Sequence, residues 1–298
     1  MSKINKFLSS LKKNQNIELV YKNEYDILNG KKNLQHIINA TNIFCDKNNI
    51  YLEIGSFRGF TLIHNAIYNK HTKLIGIDNF SLFDKKNQNF NFIKNQIKKN
   101  NIKNIEFIKK DFEYADRYIQ NKIGVLFVDG AHDYRSQLIA LLNYSKYLSN
   151  EGIIIIDDCN YYHVRKATFD FLNSNKEFKL IHQKYTNVHI TNASLKKRTE
   201  IKNGNWNGIN ILYKGKNSKI NQKLKLPKNE KTLIELFYDT HQYFRHRYAF
   251  NVPEILDLID DFKNKKISEV LFTKKIRKIN PPKNIRNFIK FKSQNIYK

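Results

Sequence analysis

Short apolar runs alternate with helical patterns along the middle of the chain. Each run is dominated by apolar residues, which is typical of strands buried on both faces of a parallel sheet. The runs lie near residues 50–54, 73–78, 105–109, 124–129 and 152–157. Between them, apolar positions recur at the spacing of amphipathic helices. The alternation predicts an α/β fold built on a doubly wound, mostly parallel sheet.

The same patterns extend the prediction at both ends of the chain. Apolar positions from Leu34 to Phe44 predict a helix before the first strand, and 178–182 and 209–213 predict two further strands around a polar stretch. A Lys-rich linker follows, and Asn251 begins a helix with a Pro near its start. We therefore expect three regions. They are an N-terminal extension at 1–33, the α/β domain at 34–215, and a linker with a helical C-terminal extension at 216–298.

Carboxylates stand at or just beyond the carboxyl ends of the predicted strands. In open parallel sheets this edge is where ligands bind. The acids concerned are Glu53, Asp78, Asp111, Asp129, Asp157 and Asp158. Their repetition indicates a ligand-binding site at the carboxyl edge of the sheet.

The first strand leads into a loop with Gly55 and Gly59, and then into an amphipathic stretch. Glycine allows the backbone to approach a ligand closely, and the helix that follows offers free amide groups. Asp78 ends the next strand, where the dinucleotide fingerprint expects a ribose-binding carboxylate about 20 residues on. The pattern predicts a nucleotide-type cofactor.

With these motifs the chain resembles the class I S-adenosylmethionine-dependent methyltransferases. Within them it is most similar to the metal-dependent sugar O-methyltransferases and the related cephalosporin-hydroxylase-like group. The resemblance spans about 34 to 214, so the α/β domain would be the methyltransferase domain. It implies a Rossmann-like, seven-stranded sheet in which the last two strands form the antiparallel closing pair. The motifs that carry it are Glu53-Ile-Gly55-Ser-Phe-Arg-Gly59-Phe-Thr61, Gly76-Ile-Asp78, Val128-Asp129-Gly130-Ala131-His132-Asp133-Tyr134, and Leu148 to Gly152 leading to Asp157-Asp158.

The resemblance implies a set of cofactor contacts. The glycine loop would shape the amino-acid half of the site, with Glu53 beneath it, and Asp78 would accept both ribose hydroxyls. Phe80 and Phe112 are candidates for adenine stacking, with Asp111 near the exocyclic amine; alternatively they are core aromatics and a helix N-cap. The full expected set is Glu53, Gly55, Ser56, Gly59, Asp78, Asn79, Phe80, Asp111, Phe112 and Asp129.

Three acids form a candidate metal site. Asp129, Asp157 and Asp158 end neighbouring strands, and hard oxygen ligands suit magnesium or manganese. Such an ion would hold two substrate hydroxyls and lower the pKa of one. The alternative is that Asp129-Gly130 forms a turn and Asp157-Asp158 caps the next helix.

His132 is the first candidate for general base, because a neutral imidazole accepts a proton at cellular pH. Asp133 is the second candidate. His132 could instead be a loop histidine bonded to backbone. Relatives often carry a second acid two residues after the first, and here Ala131 occupies that position.

Composition adds a second functional possibility. Lys and Arg number 53 against 27 Asp and Glu, a net charge of +26, and a basic balance can indicate a polyanion partner. The lysines are scattered, however, as a codon bias would produce. Only the segment 241–248 mixes cations with aromatics, and we interpret it as aromatic side chains that pack onto the core. Two cysteines and the lack of a long apolar segment indicate a cytoplasmic protein without a membrane span.

We expect an enzyme that methylates a hydroxyl of a sugar or another small hydroxylated metabolite, with a divalent cation assisting. The alternatives are an RNA or other polyanion methyltransferase, and a non-catalytic cofactor-binding or interaction protein on the same scaffold. The C-terminal helices could form a contact within a homo-oligomer.

Overall fold

The computed structural model describes residues 1–13, 16–21, 28–81, 84, 88–186, 193–215 and 251–280. The predicted linker at 216–230, the aromatic and cationic segment at 241–248, and the Pro281-Pro282 break lie outside the described residues.

A seven-stranded sheet forms the centre of the described structure, with the strand order β3-β2-β1-β4-β5-β7-β6. The strands are β1 Asn49–Ile54, β2 Leu74–Ile77, β3 Ile105–Ile108, β4 Lys122–Val128, β5 Leu148–Asp157, β6 Phe178–Lys184 and β7 Ile209–Lys214. β1 to β5 pair in parallel, whereas β7 runs antiparallel to both β5 and β6. The predicted fold class and the antiparallel closing strand are therefore confirmed.

Helices cover both faces of the sheet. They are α1 Lys3–Ser10, α2 Lys31–Phe44, α3 Phe60–Tyr68, α4 Asn89–Lys99, α5 Phe112–Ala115, α6 Tyr134–Ser145, α7 Tyr162–Ser174 and α8 Leu195–Asn203, and two C-terminal helices at Val252–Lys263 and Glu269–Ile276. α8 lies inside the polar stretch between the last two predicted strands, for which no helix was predicted. Only Ile201 of this helix is buried, so it has no apolar stripe that a pattern could reveal.

Alternating side chains of the strands fill two cores. In β5, Ile154 and Ile156 pack with α6 and α7, while Ile153 and Ile155 pack on the face covered by α2. This is the period-2 alternation expected of a strand buried on both faces. Asp157, the last residue of β5, continues the α2-facing series.

The terminal helices pack against the domain. Phe7 of α1 is fully buried and meets Phe44 of α2 edge-on, with ring centroids 5.6 Å apart. At the other end, Lys166 Nζ of α7 lies 3.8 Å from Asp257 Oδ1 of the helix Val252–Lys263. Among the described residues, no helix combines the length and the apolar character needed to cross a membrane.

Candidate functional site

The loop after β1 makes a tight cradle at the carboxyl edge of the sheet. Gly55 has a φ of +87° and Gly59 a φ of +75°, the left-handed region that favours glycine. A Cβ atom at Gly55 would overlap the carbonyl oxygen of Asp129. The backbones of the two loops therefore touch, and α3 begins directly after Gly59.

Asp78 ties this loop to the end of β2. Its Oδ2 accepts the backbone N–H groups of Ser56 and Phe57 at 2.8 and 2.9 Å, and its Oδ1 accepts that of Phe80 at 2.6 Å. Burial raises the pKa of this carboxyl, and the three backbone bonds act against that rise. The sequence predicted a ribose contact, and the structure adds that Asp78 shapes the glycine loop.

Glu53 lies fully buried beneath the loop. Its Oε2 accepts hydrogen bonds from the hydroxyls of Tyr51 and Thr61, both at 2.7 Å. Burial is the main reason that its pKa rises to about 7, although these hydroxyls lower it. The Ser56 side chain also lowers this pKa. Among the described residues, however, neither the Ser56 hydroxyl nor Glu53 Oε1 has a partner at a regular hydrogen-bond distance and angle. A buried, hydrogen-bonded carboxyl group therefore lies under the cradle.

The predicted adenine region shows mostly structural contacts. Phe80 is buried among Phe90 and Phe107, with centroids 5.1 and 6.2 Å away. Asp111 caps α5 through the backbone N–H of Glu113 at 3.0 Å and accepts Nδ2 of Asn79 at 3.3 Å.

Phe112 is half-buried and packs against the core on the α6 side. These contacts match the alternatives of a core aromatic and a helix cap, while Asn79 joins the ends of β2 and β3.

Beside the cradle, three groups come together. Asp129, His132 and Asp158 each offer one ligand atom, and these atoms all lie within 4.8 Å of one another. His132 Nε2 lies 2.8 Å from Asp158 Oδ2 and 3.9 Å from Asp129 Oδ1. We call Asp129, His132 and Asp158 the Asp-His-Asp cluster.

Negative charge dominates the electrostatics of this cluster. Burial and the neighbouring charge of Asp158 raise the pKa of Asp129 to about 6, against the stabilising contact with His132. Burial alone would lower the pKa of His132, but the charges of Asp158 and Asp129 outweigh it and hold the pKa well above its usual value. In the structure as it stands, the imidazolium neutralises part of this charge.

Asp157, the third acid of the predicted metal set, lies outside the group of ligand atoms that are all within 4.8 Å of one another, and its place in a metal site stays a prediction. Its Oδ1 accepts Nδ2 of Asn33 in α2 at 3.0 Å and the backbone N–H of Asp158 at 2.9 Å. The reason is strand alternation: Asp157 continues the α2-facing series of Ile153 and Ile155. Burial and then the charges of Asp129 and Asp158 raise its pKa well above the usual range.

Asp133, the second candidate for general base, also has a structural role. It is fully buried, and its Oδ1 accepts the backbone N–H of Ser136 at 2.9 Å as the N-cap of α6. His132 remains the first candidate base.

Aromatic rings line the cluster on one side. Tyr161 stacks on His132 with centroids 5.0 Å and planes 18° apart, and it is buried. His163 is also buried, and its Nδ1 accepts the backbone N–H of Tyr134 at 3.2 Å. Tyr161 is thus a packing partner of His132. Asn33 was missed, because no local pattern marks a polar residue inside a helix as a partner of the site.

Part of the chain, which includes the glycine loop and the Asp-His-Asp cluster, matches a known protein family. Residues 52–159 match the family described as "Methyltransferase domain". An uncharacterised protein of Acanthamoeba polyphaga mimivirus is 33% identical over 128 residues, 41% of this chain and 58% of that protein. The chain thus spans little more than half the length of this curated relative.

The chain is also similar to solved structures at 15 to 16% identity. An rRNA methylase from Streptococcus thermophilus has a TM-score of 0.45 over 62% of this chain and 98% of its own, at 15% identity. A Streptococcus mutans protein in complex with SAH has a TM-score of 0.43, 15% identity, and 59% and 94% coverage. The TDP-rhamnose 3'-O-methyltransferase of calicheamicin biosynthesis has a TM-score of 0.40, 16% identity, and 47% and 69% coverage.

Proposed function

We propose that this chain, whose residues 52–159 belong to a methyltransferase domain, transfers a methyl group from S-adenosylmethionine to a hydroxyl of a small molecule, with a divalent cation bound at the Asp-His-Asp cluster. The observation that carries the proposal is the cluster itself, placed one loop away from the glycine cradle. Two carboxylates and an imidazole beside a cofactor cradle supply the groups that a hydroxyl acceptor needs.

The cradle fits the cofactor. Gly55 and Gly59 leave the backbone open to close approach, which a Cβ would prevent at Gly55. Asp78 holds the loop by two backbone bonds and retains acceptor capacity for ribose hydroxyls. When bound, S-adenosylmethionine supplies a methyl group on a sulfonium sulfur, and its transfer to a hydroxyl oxygen releases one proton that must be taken up.

The donor set of the cluster fits a divalent cation. Carboxylate oxygens suit magnesium and manganese, so Asp129 and Asp158 would hold the cation and leave His132 to act as the base. Asp129 and Asp158 repel each other, so that a cation between them would relieve the charge. A bound cation would lower the pKa of an acceptor hydroxyl.

His132 would take the released proton. Asp158 at 2.8 Å fixes one ring nitrogen, and Tyr161 holds the plane of the ring. Only neutral His132 accepts a proton, and that form is favoured when positive charge offsets Asp129 and Asp158. Asp158 thus orients the base, and Asp129 supplies the second carboxylate.

A sugar or another small hydroxylated metabolite is the acceptor that this chemistry favours, because vicinal hydroxyls can both contact one cation. The net charge of +26 favours the second candidate, an RNA or another polyanion. An RNA acceptor predicts binding that weakens steeply with salt, whereas a neutral metabolite does not.

Calorimetry of the chelator-stripped protein tests the proposal. S-adenosylmethionine should bind with and without Mn²⁺, and Mn²⁺ alone should bind the wild type. Asp158→Asn should abolish Mn²⁺ binding and leave S-adenosylmethionine binding intact. Asp116→Asn is the matched control, because Asp116 lies in an ion pair with Lys146 at 2.8 Å, outside the site.

Three results would count against parts of the proposal. If S-adenosylmethionine does not bind, the methyltransferase proposal fails and the chain is a non-catalytic protein on this scaffold. Wild-type protein that binds the cofactor but not Mn²⁺ would remove the metal and leave the His132 and Asp158 pair as the catalytic groups. Salt-sensitive RNA binding at low micromolar concentration would replace the small-molecule acceptor.

A further inference from the structure

A hydrogen-bonded chain of side chains lies behind the cluster. Asp157 is 3% exposed at the end of β5. Its Oδ1 accepts the backbone N–H of Asp158 at 2.9 Å and Nδ2 of Asn33 at 3.0 Å. The first of these bonds fixes the peptide that carries the Asp158 side chain.

The backbone at Asp158 needs such support. Its φ is +54°, a left-handed conformation that is strained for a residue with a Cβ. The conformation turns Asp158 out of the strand alternation and toward His132, with Oδ2 at 2.8 Å from Nε2. The direction of this carboxylate therefore depends on contacts made by its neighbours.

Asn33 extends the chain to a turn far away in sequence. It is fully buried in the first turns of α2. Its Oδ1 accepts Nδ2 of Asn205 at 2.8 Å, and its Nδ2 also reaches the carbonyl of Asn205 at 3.3 Å. Asn205 lies in the turn between α8 and β7.

The same turn also holds the other side of the Asp158 loop. The backbone N–H of Asn160 donates to the carbonyl of Asn207 at 2.7 Å, and that of Cys159 donates to the carbonyl of Gly208 at 3.4 Å. The loop that carries Asp158 is thus held from both ends by one turn, through side chains before it and backbone after it.

We infer that Asn33, Asp157 and Asn205 form a positioning network that sets the Asp158 carboxylate against His132 and Asp129. Within the network, Asp157 acts through the peptide of Asp158, whose N–H its Oδ1 accepts. The inference rests on the proposed function only for what the cluster does, and not for its geometry. Partners behind ligating groups typically account for a 10- to 100-fold effect on metal affinity.

Asn33→Ala tests the network, because it removes the donor to Asp157 and the acceptor for Asn205 together. Titration of chelator-stripped protein with Mn²⁺, followed by electron paramagnetic resonance, should show affinity about 10- to 100-fold weaker than wild type. S-adenosylmethionine affinity should not change. Asn39→Ala is the matched control, since Asn39 is a second buried asparagine further along the same helix, and its Mn²⁺ affinity should equal the wild type's.

Asn205→Ala is a second test in case Asn33→Ala does not fold. Asn205 is only half-buried and lies in a turn, so we expect its substitution to disturb folding less. It should weaken Mn²⁺ binding in the same direction and by less. Equal Mn²⁺ affinity in wild type, Asn33→Ala and Asn205→Ala would overturn the network while leaving the metal proposal intact.

A second readout needs no metal. The ¹⁵N and ¹H shifts of the His132 ring report its hydrogen bond to Asp158, so they should move in Asn33→Ala and stay in place in Asn39→Ala. If wild-type protein binds no Mn²⁺, the metal proposal fails, and these shifts alone decide the network. Unmoved shifts in Asn33→Ala would then overturn it.

Discussion

The backbone of Gly55 presses against the carbonyl group of Asp129, so closely that no Cβ atom fits between them. The contact joins the loop after β1 to the loop after β4, and hence the cofactor cradle to the Asp-His-Asp cluster. Both loops leave parallel strands at the same edge of the sheet, where such folds bind ligands.

Gly55→Ala should therefore damage cofactor binding more than overall folding. The methyl group must push the Asp129 loop away, and the φ of +87° adds strain for any residue with a Cβ. We expect at least a tenfold loss of S-adenosylmethionine affinity, about 1.4 kcal/mol, by calorimetry. Gly130→Ala is the control, because its Cβ would meet only Ile54 Cγ2 at 3.5 Å. Equal affinities of the two variants would contradict the prediction.

Asp78→Ala should weaken S-adenosylmethionine binding for two reasons, the lost ribose acceptor and the loosened loop. Hydrogen bonds to charged groups contribute about 1.5–3 kcal/mol, so an affinity loss of one to two orders of magnitude is expected. Asp46→Ala is a matched control, since Asp46 also accepts two backbone N–H groups, from Asn48 and Asn49, next to the start of β1. Unchanged affinity in Asp78→Ala would remove this residue from the cofactor site.

Apolar periodicity was enough to predict the sheet and most helices, because burial on two faces leaves a strong pattern. Two site details escaped it for physical reasons. Consecutive residues of a strand face opposite sides, so Asp157 faces α2, whereas the direction of Asp158 depends on a left-handed backbone that no apolar pattern predicts.

Asn33 and Asn205, separated by 172 positions, meet only in the folded chain. Their pairing leaves no periodicity, and a buried asparagine in a helix resembles many others. The sequence predicted that carboxylates end several strands. Which of them lie in the Asp-His-Asp cluster, and which hold its residues in place, depends on contacts that only the folded chain shows.

Stability should fall on acidification, and His36 should account for part of the loss. Its ring is fully buried, and neither nitrogen has a hydrogen-bond partner among the described residues. Burial first, and then the charges of His182 and Lys32, lower its pKa to about 3. A lowered histidine pKa favours the neutral folded form, so the contribution is complete above the unfolded pKa of about 6.5 and is lost as pH falls toward 3.

His36→Leu should flatten this pH dependence. Between pH 6 and 4 the unfolded wild type binds one more proton at this site than the folded state does, worth up to about 1.4 kcal/mol per pH unit. Urea unfolding at pH 7.5, 6 and 4.5 measures the slope. A slope in His36→Leu equal to that of the wild type would show that His36 does not titrate on unfolding.

Glu53 should change the folding stability with pH in the opposite direction to His36. Its pKa rises from the model-peptide value to about 7, so the neutral carboxyl is favoured in the folded state. The resulting contribution is present at low pH and is lost as pH rises from about 4.5 through 7, because the unfolded carboxyl ionises first. At pH 8 the folded protein must bury an ionised group under the glycine loop.

Glu53→Gln should thus stabilise the protein at pH 8 by on the order of 2 kcal/mol, and little at pH 5, because the neutral amide keeps an oxygen for the Tyr51 and Thr61 hydroxyls. Urea unfolding at both pH values tests the sign. Glu106→Gln is the control, since Glu106 is an exposed partner of Lys73 at 2.7 Å. If Glu53 orients the glycine loop, Glu53→Gln should bind S-adenosylmethionine more weakly even though it is more stable at pH 8. Glu53 would then destabilise the folded protein at that pH and strengthen cofactor binding.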